Sequence, residues 1–512
     1  MLPRIAILLL VFAAACSDDP DANGADAGPN NAGPNDANHS EPDANHSDPD
    51  ADHPAPDADH PDPDADHPDS DANSPADCTP HPWPQADFFA APDGATDAAG
   101  TADEPLALAI LLSPQGPAGP GDRVELLEGT YTGRFTANVS GTSDQPIVFA
   151  ARPGTVILDS HAESSGDTGL FIEGAHLEFH DLIITNSHPS RFSAVSGVTI
   201  HGEEVRLINS VIHDTAQGVS FWTPAIDSEL YGNIIYNNGY MGDTRGHGHA
   251  VYTQNRHGTK RLARNILFFG YGFGFHAYTE GGYIEGFDFE ENLWFRTGAS
   301  RPDSTTVGTS DGLLVGGLQP VDRARLLRNY SWAPTPDARS TRIGWGGDVM
   351  NEHITMIDNY LVGHFSAQGH WAGAEIHGND FYSTYVGILP ADWPDNAYHE
   401  ALPDYLHVVV HKNHHDPTRA ELYIYNWDDL PEVAIDGASL LPEGATYTVH
   451  SVFDLFGDPV ASGTYEGGDL TIPMGTVDPP QPKGDPGNIG AHDDPGATFG
   501  AFVVRADCSL LP

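Results

Sequence analysis

Leu177-Glu-Phe-His-Asp-Leu-Ile-Ile184, Val205-Arg-Leu-Ile-Asn-Ser-Val-Ile212 and Glu229-Leu-Tyr-Gly-Asn-Ile-Ile-Tyr236 share one pattern: apolar residues, a single Asn or Asp, then more apolar residues. Further copies follow over 261–268, 288–295, 325–332, 355–362 and 375–382. The polar positions are Asp181, Asn209, Asn233, Asn265, Asn292, Asn329, Asn359 and Asn379, spaced by 28, 24, 32, 27, 37, 30 and 20 residues. Self-similarity at such a period marks a solenoid whose coils each supply short strands to parallel sheets. The Asn side chains then stack at one corner and bond the turn backbone. Loop insertions lengthen a coil without breaking the stack, which accounts for the uneven spacing. A sandwich of hairpins would place its turn signals at shorter, steadier intervals.

Upstream, Phe88-Phe-Ala-Ala91 reads as a strand, and Thr101-x-x-Glu104 is a capping box before the apolar run Leu106–Leu112. Short strands follow at Val124–Leu127, Gln145–Phe149 and Pro153–Asp159. This order resembles the N-terminal cap and first turns of right-handed parallel β-helix proteins of the pectate-lyase-like kind, and the resemblance extends over most of residues 87–390. After residue 400 the pattern changes. Leu406–Val410, Ala420–Tyr425, Thr446–His450, Asp469–Ile472 and Phe499–Val504 run between Gly, Pro and Asp turns, as in a small antiparallel β-sandwich. That segment resembles the accessory β-domains of secreted carbohydrate-active enzymes, where the role is to cap the solenoid or bind glycan. The expected fold is all-β, with a capped parallel β-helix over 78–400 and a sandwich over 401–512.

The first 77 residues carry an address and a spacer. Arg4 precedes the apolar stretch Ile5–Ala15, too short to span a bilayer but suited to a signal peptide over 1–15. Val11-Phe-Ala-Ala-Ala15-Cys16 resembles a bacterial lipobox, with Ala13 where that family prefers Leu. The resemblance implies lipidation of Cys16, and Ser17 after it implies the outer membrane, facing the surface or the periplasm. Ala13-x-Ala15 also satisfies an ordinary signal-peptidase site, which gives a secreted protein instead. Cys78 and Cys508 are then the remaining cysteines in an oxidising compartment, and a disulfide between them is expected. Residues 16–77 run in acidic Asp/Pro/His heptads with no consistently apolar position, so they form a solvated stalk.

Charge narrows the partners. The chain of 512 residues has 73 Asp and Glu against 22 Lys and Arg, a formal charge of −51. Nucleic-acid binding needs clustered cations and is excluded on that ground. The expected partners are a polysaccharide and, through the lipid anchor alone, a membrane; the chain is expected to be a monomer.

The chemistry is sought in the middle coils. Asp243-Thr-Arg-Gly-His-Gly-His-Ala-Val-Tyr-Thr-Gln254 is followed one coil later by Gly272-Phe-Gly-Phe-His-Ala-Tyr-Thr-Glu280. Aligning the apolar partners turns Val219, Val251 and Phe275 inward, given a three-residue insertion in the last coil. Period two then turns Ser220, Tyr252 and His276 outward, with Trp222, Gln254 and Tyr278 beside them. With Arg245, His247 and His249 at the flank, this face suits a sugar, because aromatic rings stack on sugar rings and Arg holds carboxylates. If the polymer contains uronate, β-elimination needs a neutralised carboxylate, a base and an acid. Arg245 or a bound calcium ion supplies the first, and His276 or His249 with Tyr252 supplies the others.

Three competing signals are weaker. Gly246-His247-Gly248 resembles the GHG of polygalacturonases, but that family's other motifs are missing. His414-His415-Asp416 suggests metal, yet such turns are commonly solvated. Glu203-Glu204 and Glu290-Glu291 are expected to be exposed, and the stacked acids with catalytic Lys and Arg of calcium-dependent lyases find no match. Two function classes therefore stand: a surface-anchored lyase or epimerase, ahead of a hydrolase, and a non-catalytic glycan-binding or adhesive lipoprotein.

Overall fold

The computed structural model describes residues 85–507, apart from residues 153, 163–167, 190–195, 242–245, 301–309, 383, 388–389, 484–491 and 493–495. The signal peptide, the spacer, Cys16, Cys78, Cys508 and Arg245 lie outside the described residues.

Each coil gives one strand to each of three parallel sheets. Glu229–Tyr231, Ile234–Tyr236 and Val251–Thr253 form one such set before the chain returns to the first sheet at Lys260–Ala263. Among the described residues the three sheets hold twelve, eleven and ten strands. This is a right-handed parallel β-helix, and the third sheet is about 43 Å long at ~4.8 Å per strand. The apolar run near its start is a two-residue strand and the single-turn helix Leu108–Leu111, and Glu104 N–H donates to Thr101 Oγ1 at 3.2 Å.

Period two writes the interior. Leu230, Leu262 and Phe289 stack from the first sheet, Ile235, Leu267 and Trp294 from the second, and Val219, Val251 and Phe275 from the third. All belong to one buried core. Each such side chain contributes about 1.5–3 kcal/mol by leaving water.

The ladder corner differs from the sequence reading by one residue in its first coils. Nδ2 of Asn233 donates to Oδ1 of Asn265 at 3.0 Å, and the chain of amide bonds continues through Asn292, Asn329, Asn359 and Asn379 to Asn396. The residue aligned with Asn233 one coil earlier is Ser210, whose N–H donates to Asn233 Oδ1 at 2.9 Å. Asn209 and Asp181 instead occupy the preceding, left-handed position, with φ of 53° and 59°. Gly232, Arg264, Glu291 and Arg328 follow them there. Asn and Asp tolerate that conformation better than other side chains, so they are at home in either position.

The three outer faces have different fates. On the first sheet Glu178, Arg206, Glu229, Arg261, Asp288 and Arg325 alternate in register. Ion pairs such as Arg206–Glu178 at 2.9 Å and Arg261–Glu229 at 2.5 Å hold them. Each exposed pair contributes under about 1 kcal/mol, but together they keep the face solvated. Glu290 and Glu291 are correspondingly half-buried rather than exposed, because Arg261, Arg264 and Arg328 bridge them.

On the second sheet the outward column is apolar. His213, Tyr236, Phe268 and Phe295 stack with ring centroids 5.1, 5.0 and 5.1 Å apart. The C-terminal segment covers them. Its five-stranded antiparallel sheet runs in the order Leu406–Lys412, Arg419–Asn426, Phe499–Asp507, Thr446–Ser451, Ala461–Thr464. One face turns Leu422, Ile424 and Phe502 toward the two-stranded sheet of Glu432–Asp436 and Asp469–Pro473, closing a small sandwich. The other lays Tyr423, Tyr425 and Phe499 on the second sheet, where Phe499 stacks on Trp332 at 5.1 Å. The docking corner joins Asn413 to Asn209 and Arg419 to the carbonyl of Gly232 at 2.8 Å. His414-His415-Asp416 is part of this corner: His414 N–H donates to the Tyr231 hydroxyl, and Asp416 caps its own turn through Thr418.

Candidate active site

The third sheet is left with a polar, aromatic outer face. Strands Gln217–Phe221, Val251–Thr253 and Phe275–Ala277 place Ser220, Tyr252 and His276 in one register. Their neighbours Val219, Val251 and Phe275 are fully buried, and this fixes which side faces out. Lys260 aligns with Phe287 on the first sheet, so the later coil carries three extra residues, located in its loop after Ala277. Trp222, Gln254 and Tyr278 immediately follow the three strands, and all are half-buried.

The rings form one cluster. His276 lies between Phe273 and Tyr278, with centroids at 4.5 and 4.8 Å and nearly parallel planes. His249 is 4.1 Å from His276, and Tyr252 is 5.4 Å from it. Trp222 meets Tyr252 edge-on at 5.3 Å. This packing corrects the expectation of an exposed His276: it is 8% exposed and His249 7%, because the rings that flank them screen their faces. Solvent meets mainly the half-buried Trp222, Tyr252, Gln254, Phe273 and Tyr278, and a small part of His276.

Hydrogen bonds orient the cluster. Phe273 N–H donates to His249 Nδ1 at 3.1 Å, so a neutral His249 carries its proton on Nε2. Gln254 Nε2 donates to the Tyr252 hydroxyl at 3.1 Å. Gly248 has φ of 77°, and a Cβ there would stand 1.9 Å from the Ala216 carbonyl oxygen. That close approach is a backbone reason for the Gly-His-Gly string. His247 lies on the small hairpin with Tyr240–Met241 and stacks on Tyr240 at 5.3 Å.

Several further residues at this face carry little sequence signal of their role. Lys260 is fully buried behind the site, and burial pulls its pKa well below the usual value. Its Nζ donates to the carbonyls of Phe221, Trp222 and Gln254 at 3.0, 2.5 and 2.8 Å. Three acceptors match the three N–H bonds of an ammonium, and they tie together the loops that present Trp222 and Gln254. Farther along, Leu314 and Arg342 continue the column of His276. Trp345 lies 5.5 Å from the Tyr278 ring, and the Arg342 guanidinium is 5.0 Å over the indole. The irregular spacing of these coils hid that continuation; the Gly344-Trp-Gly-Gly347 string was its one visible sign.

The described donors do not fit calcium, which takes six to eight oxygen ligands. The column offers hydroxyl, phenol and imidazole groups, and among the described residues no three His, Cys, Asp or Glu side chains converge as metal ligands. What the face can do is stack sugar rings, accept a proton on imidazole and donate one from phenol.

No family model matches the chain. A stretch of 167 residues is 33% identical to pectate lyase PEL9 of Emericella nidulans, covering 29% of this chain and 40% of that protein. Among solved structures the chain is similar to pectate lyase Pel9A, at 18% identity over 62% of this chain and 81% of that one, with a TM-score of 0.44. It is also similar to the alginate lyase of Paenibacillus sp. str. FPU-7, at 20% identity over 55% and 94%, with a TM-score of 0.36.

Proposed function

We propose that the protein is a polysaccharide lyase that cleaves a uronate-containing glycan on the outer face of its third sheet. The observation that carries this reading is the packed constellation of His276, His249 and Tyr252 on neighbouring coils. Partial identity to a pectate lyase supports the same reaction class.

In this reading His276 takes the proton from C5 of the uronate. The C5 electron pair forms the C4–C5 double bond, and the C4–oxygen bond of the glycosidic link breaks. Tyr252 passes its phenolic proton to the departing oxygen, while the Gln254 amide, donating to that phenol oxygen, stabilises the charge left on it. Phe273 and Tyr278 fix the imidazole plane, and Trp222 offers a stacking surface. An epimerase would share the proton abstraction and differ in returning a proton to C5 rather than breaking the link. The lipobox-like sequence at Cys16 and the acidic spacer fit action at the cell surface on an anchored enzyme.

The test is turnover by the full chain on alginate, pectate, glycosaminoglycans and neutral glycans, followed by ultraviolet absorbance of unsaturated uronate and by reducing ends. Unsaturated product that disappears in Tyr252→Phe and His276→Ala is expected. Reducing ends without that absorbance mean hydrolysis, and binding without turnover means a glycan-binding protein.

A further inference from the structure

The outward column does not end at His276. Two coils on stands Arg342, about 10 Å away at ~4.8 Å per coil, which is the reach of a disaccharide. The strand that carries it, Arg339–Ile343, is irregular: Arg339 pairs with His364 and Thr341 with Phe365, so the register shifts between them. Such bulges re-aim side chains. Here both arginines reach one carboxylate. Asp311 Oδ2 lies 3.0 Å from Arg342 Nη2 and 3.9 Å from Arg339 Nη1. Two guanidinium groups against one carboxylate leave a local excess of positive charge on a chain whose net charge is −51.

The pair has capacity to spare. Arg342 Nε is buried without a hydrogen-bond acceptor, and the Arg339 side chain is 45% exposed. Beside them Trp345 is half-buried, its ring bracketed by Tyr278 on one side and the Arg342 guanidinium on another. By contrast, the described arginines of the first sheet's outer column sit in the Glu/Arg register, and Arg419 and Arg505 hold the C-terminal domain. A guanidinium pair next to an indole is what a charged sugar needs, one group for the carboxylate and the other for the ring face.

We infer that Arg339, Arg342 and Trp345 form a distal subsite that binds a uronate residue about one disaccharide along the polymer from the sugar at His276. This rests on the reading of the His276 face as a glycan site. It gives an acidic protein a place to hold an anionic chain, and it makes recognition depend on charge beyond the sugar that reacts. Asp311 holds Arg342 in position; the carboxylate of the substrate meets the remaining donors.

The test is calorimetric titration of the full chain with tetragalacturonate and tetramannuronate, each beside its carboxyl-reduced counterpart. The wild type is expected to bind one of the acidic forms about tenfold tighter than its reduced form, and Arg339→Gln and Arg342→Gln to erase most of that difference. Trp345→Ala is expected to weaken both forms. Arg339→Gln guards against misfolding, since Arg339 is the more exposed of the two and lies farther from Asp311. Where turnover is seen, the arginine variants raise KM and leave kcat within about twofold, as loss of uniform binding does. Equal affinity for acidic and reduced forms in the wild type, or unchanged discrimination in both arginine variants, overturns the subsite. Discrimination that persists without turnover leaves the subsite standing and overturns the lyase.

Discussion

The second and third sheets carry aromatic columns on the same coils, and the two columns do opposite things. On the second sheet Tyr236, Phe268 and Phe295 stack within 11° of parallel, and Ile234, Ile266 and Leu293 beside them are also apolar. A second sheet of matching character lies on top. On the third sheet Tyr252 and His276 are tilted, and polar groups break the column: Ser220 stands in register one coil before Tyr252, and Gln254 donates to the Tyr252 hydroxyl. An apolar companion column thus marks the aromatic column that the C-terminal sheet covers, and polar companions mark the one proposed to meet a glycan. Ring content alone does not separate the two.

That contrast can be broken from either side. The largest effect is expected for His276→Ala, which should lower kcat on a uronate polymer by about 10²–10⁴-fold in the folded fraction, well beyond what its loss of ring packing costs in stability. Its mirror is Phe268→Ala, expected to cost about 3–5 kcal/mol in denaturant unfolding while the folded fraction keeps its kcat. If both substitutions changed both quantities alike, the two faces would not be functionally distinct. Asn329→Ala removes a side chain that donates to Phe289 O at 2.8 Å and Asn359 Oδ1 at 3.0 Å, and should cost about 3 kcal/mol by the same measurement.

Asp181→Asn sharpens the docking side. Asp181 is buried at the domain junction, its Oδ1 meets no hydrogen-bond donor, and burial raises its pKa from 3.8 to about 6. Between those values the folded chain keeps a proton that the unfolded chain has lost, so stability falls as pH rises through that window. The cost is fully present above about pH 6, on the order of 3 kcal/mol, and vanishes below about pH 4. The amide should recover about 1–3 kcal/mol at neutral pH and nothing in acid, as followed by unfolding midpoints across that range. Asn209 already occupies the same left-handed position one coil later. Gln254→Ala should have the smallest effect, a loss of about tenfold in kcat/KM from one hydrogen bond to Tyr252.

The inward residues were legible because Val219, Val251 and Phe275 repeat in step, and that step placed Tyr252 beside His276 in the structure. The ladder was misread at Asp181 and Asn209 because two adjacent corner positions accept the same polar side chains for different reasons. One position needs an amide that bonds to both neighbours, and the other needs only tolerance of positive φ. Asn396 was invisible because Trp393-Pro-Asp-Asn396 lacks the apolar flank on its near side. Arg342 and Trp345 escaped because a 37-residue gap and a bulge intervene; Lys260 shares the inward parity of Leu262, but nothing in the sequence shows the three carbonyls that its ammonium meets.

A stack of coils is held by nearest neighbours only, so it tends to fray from its ends and to open wherever one interface is weak. The C-terminal sheet changes that statistics. It grips Asn209, Gly232 and Arg264 on three successive coils and presses on strands from Ile183 to Tyr382. Like a splint, it ties the opening of any coil in that span to the undocking of a whole domain. The coils that carry Tyr252 and His276 lie within that span, with the two side chains on the third sheet rather than the covered second one. Cooperativity borrowed from a distant sheet thus keeps two side chains on separate turns of the solenoid in fixed alignment.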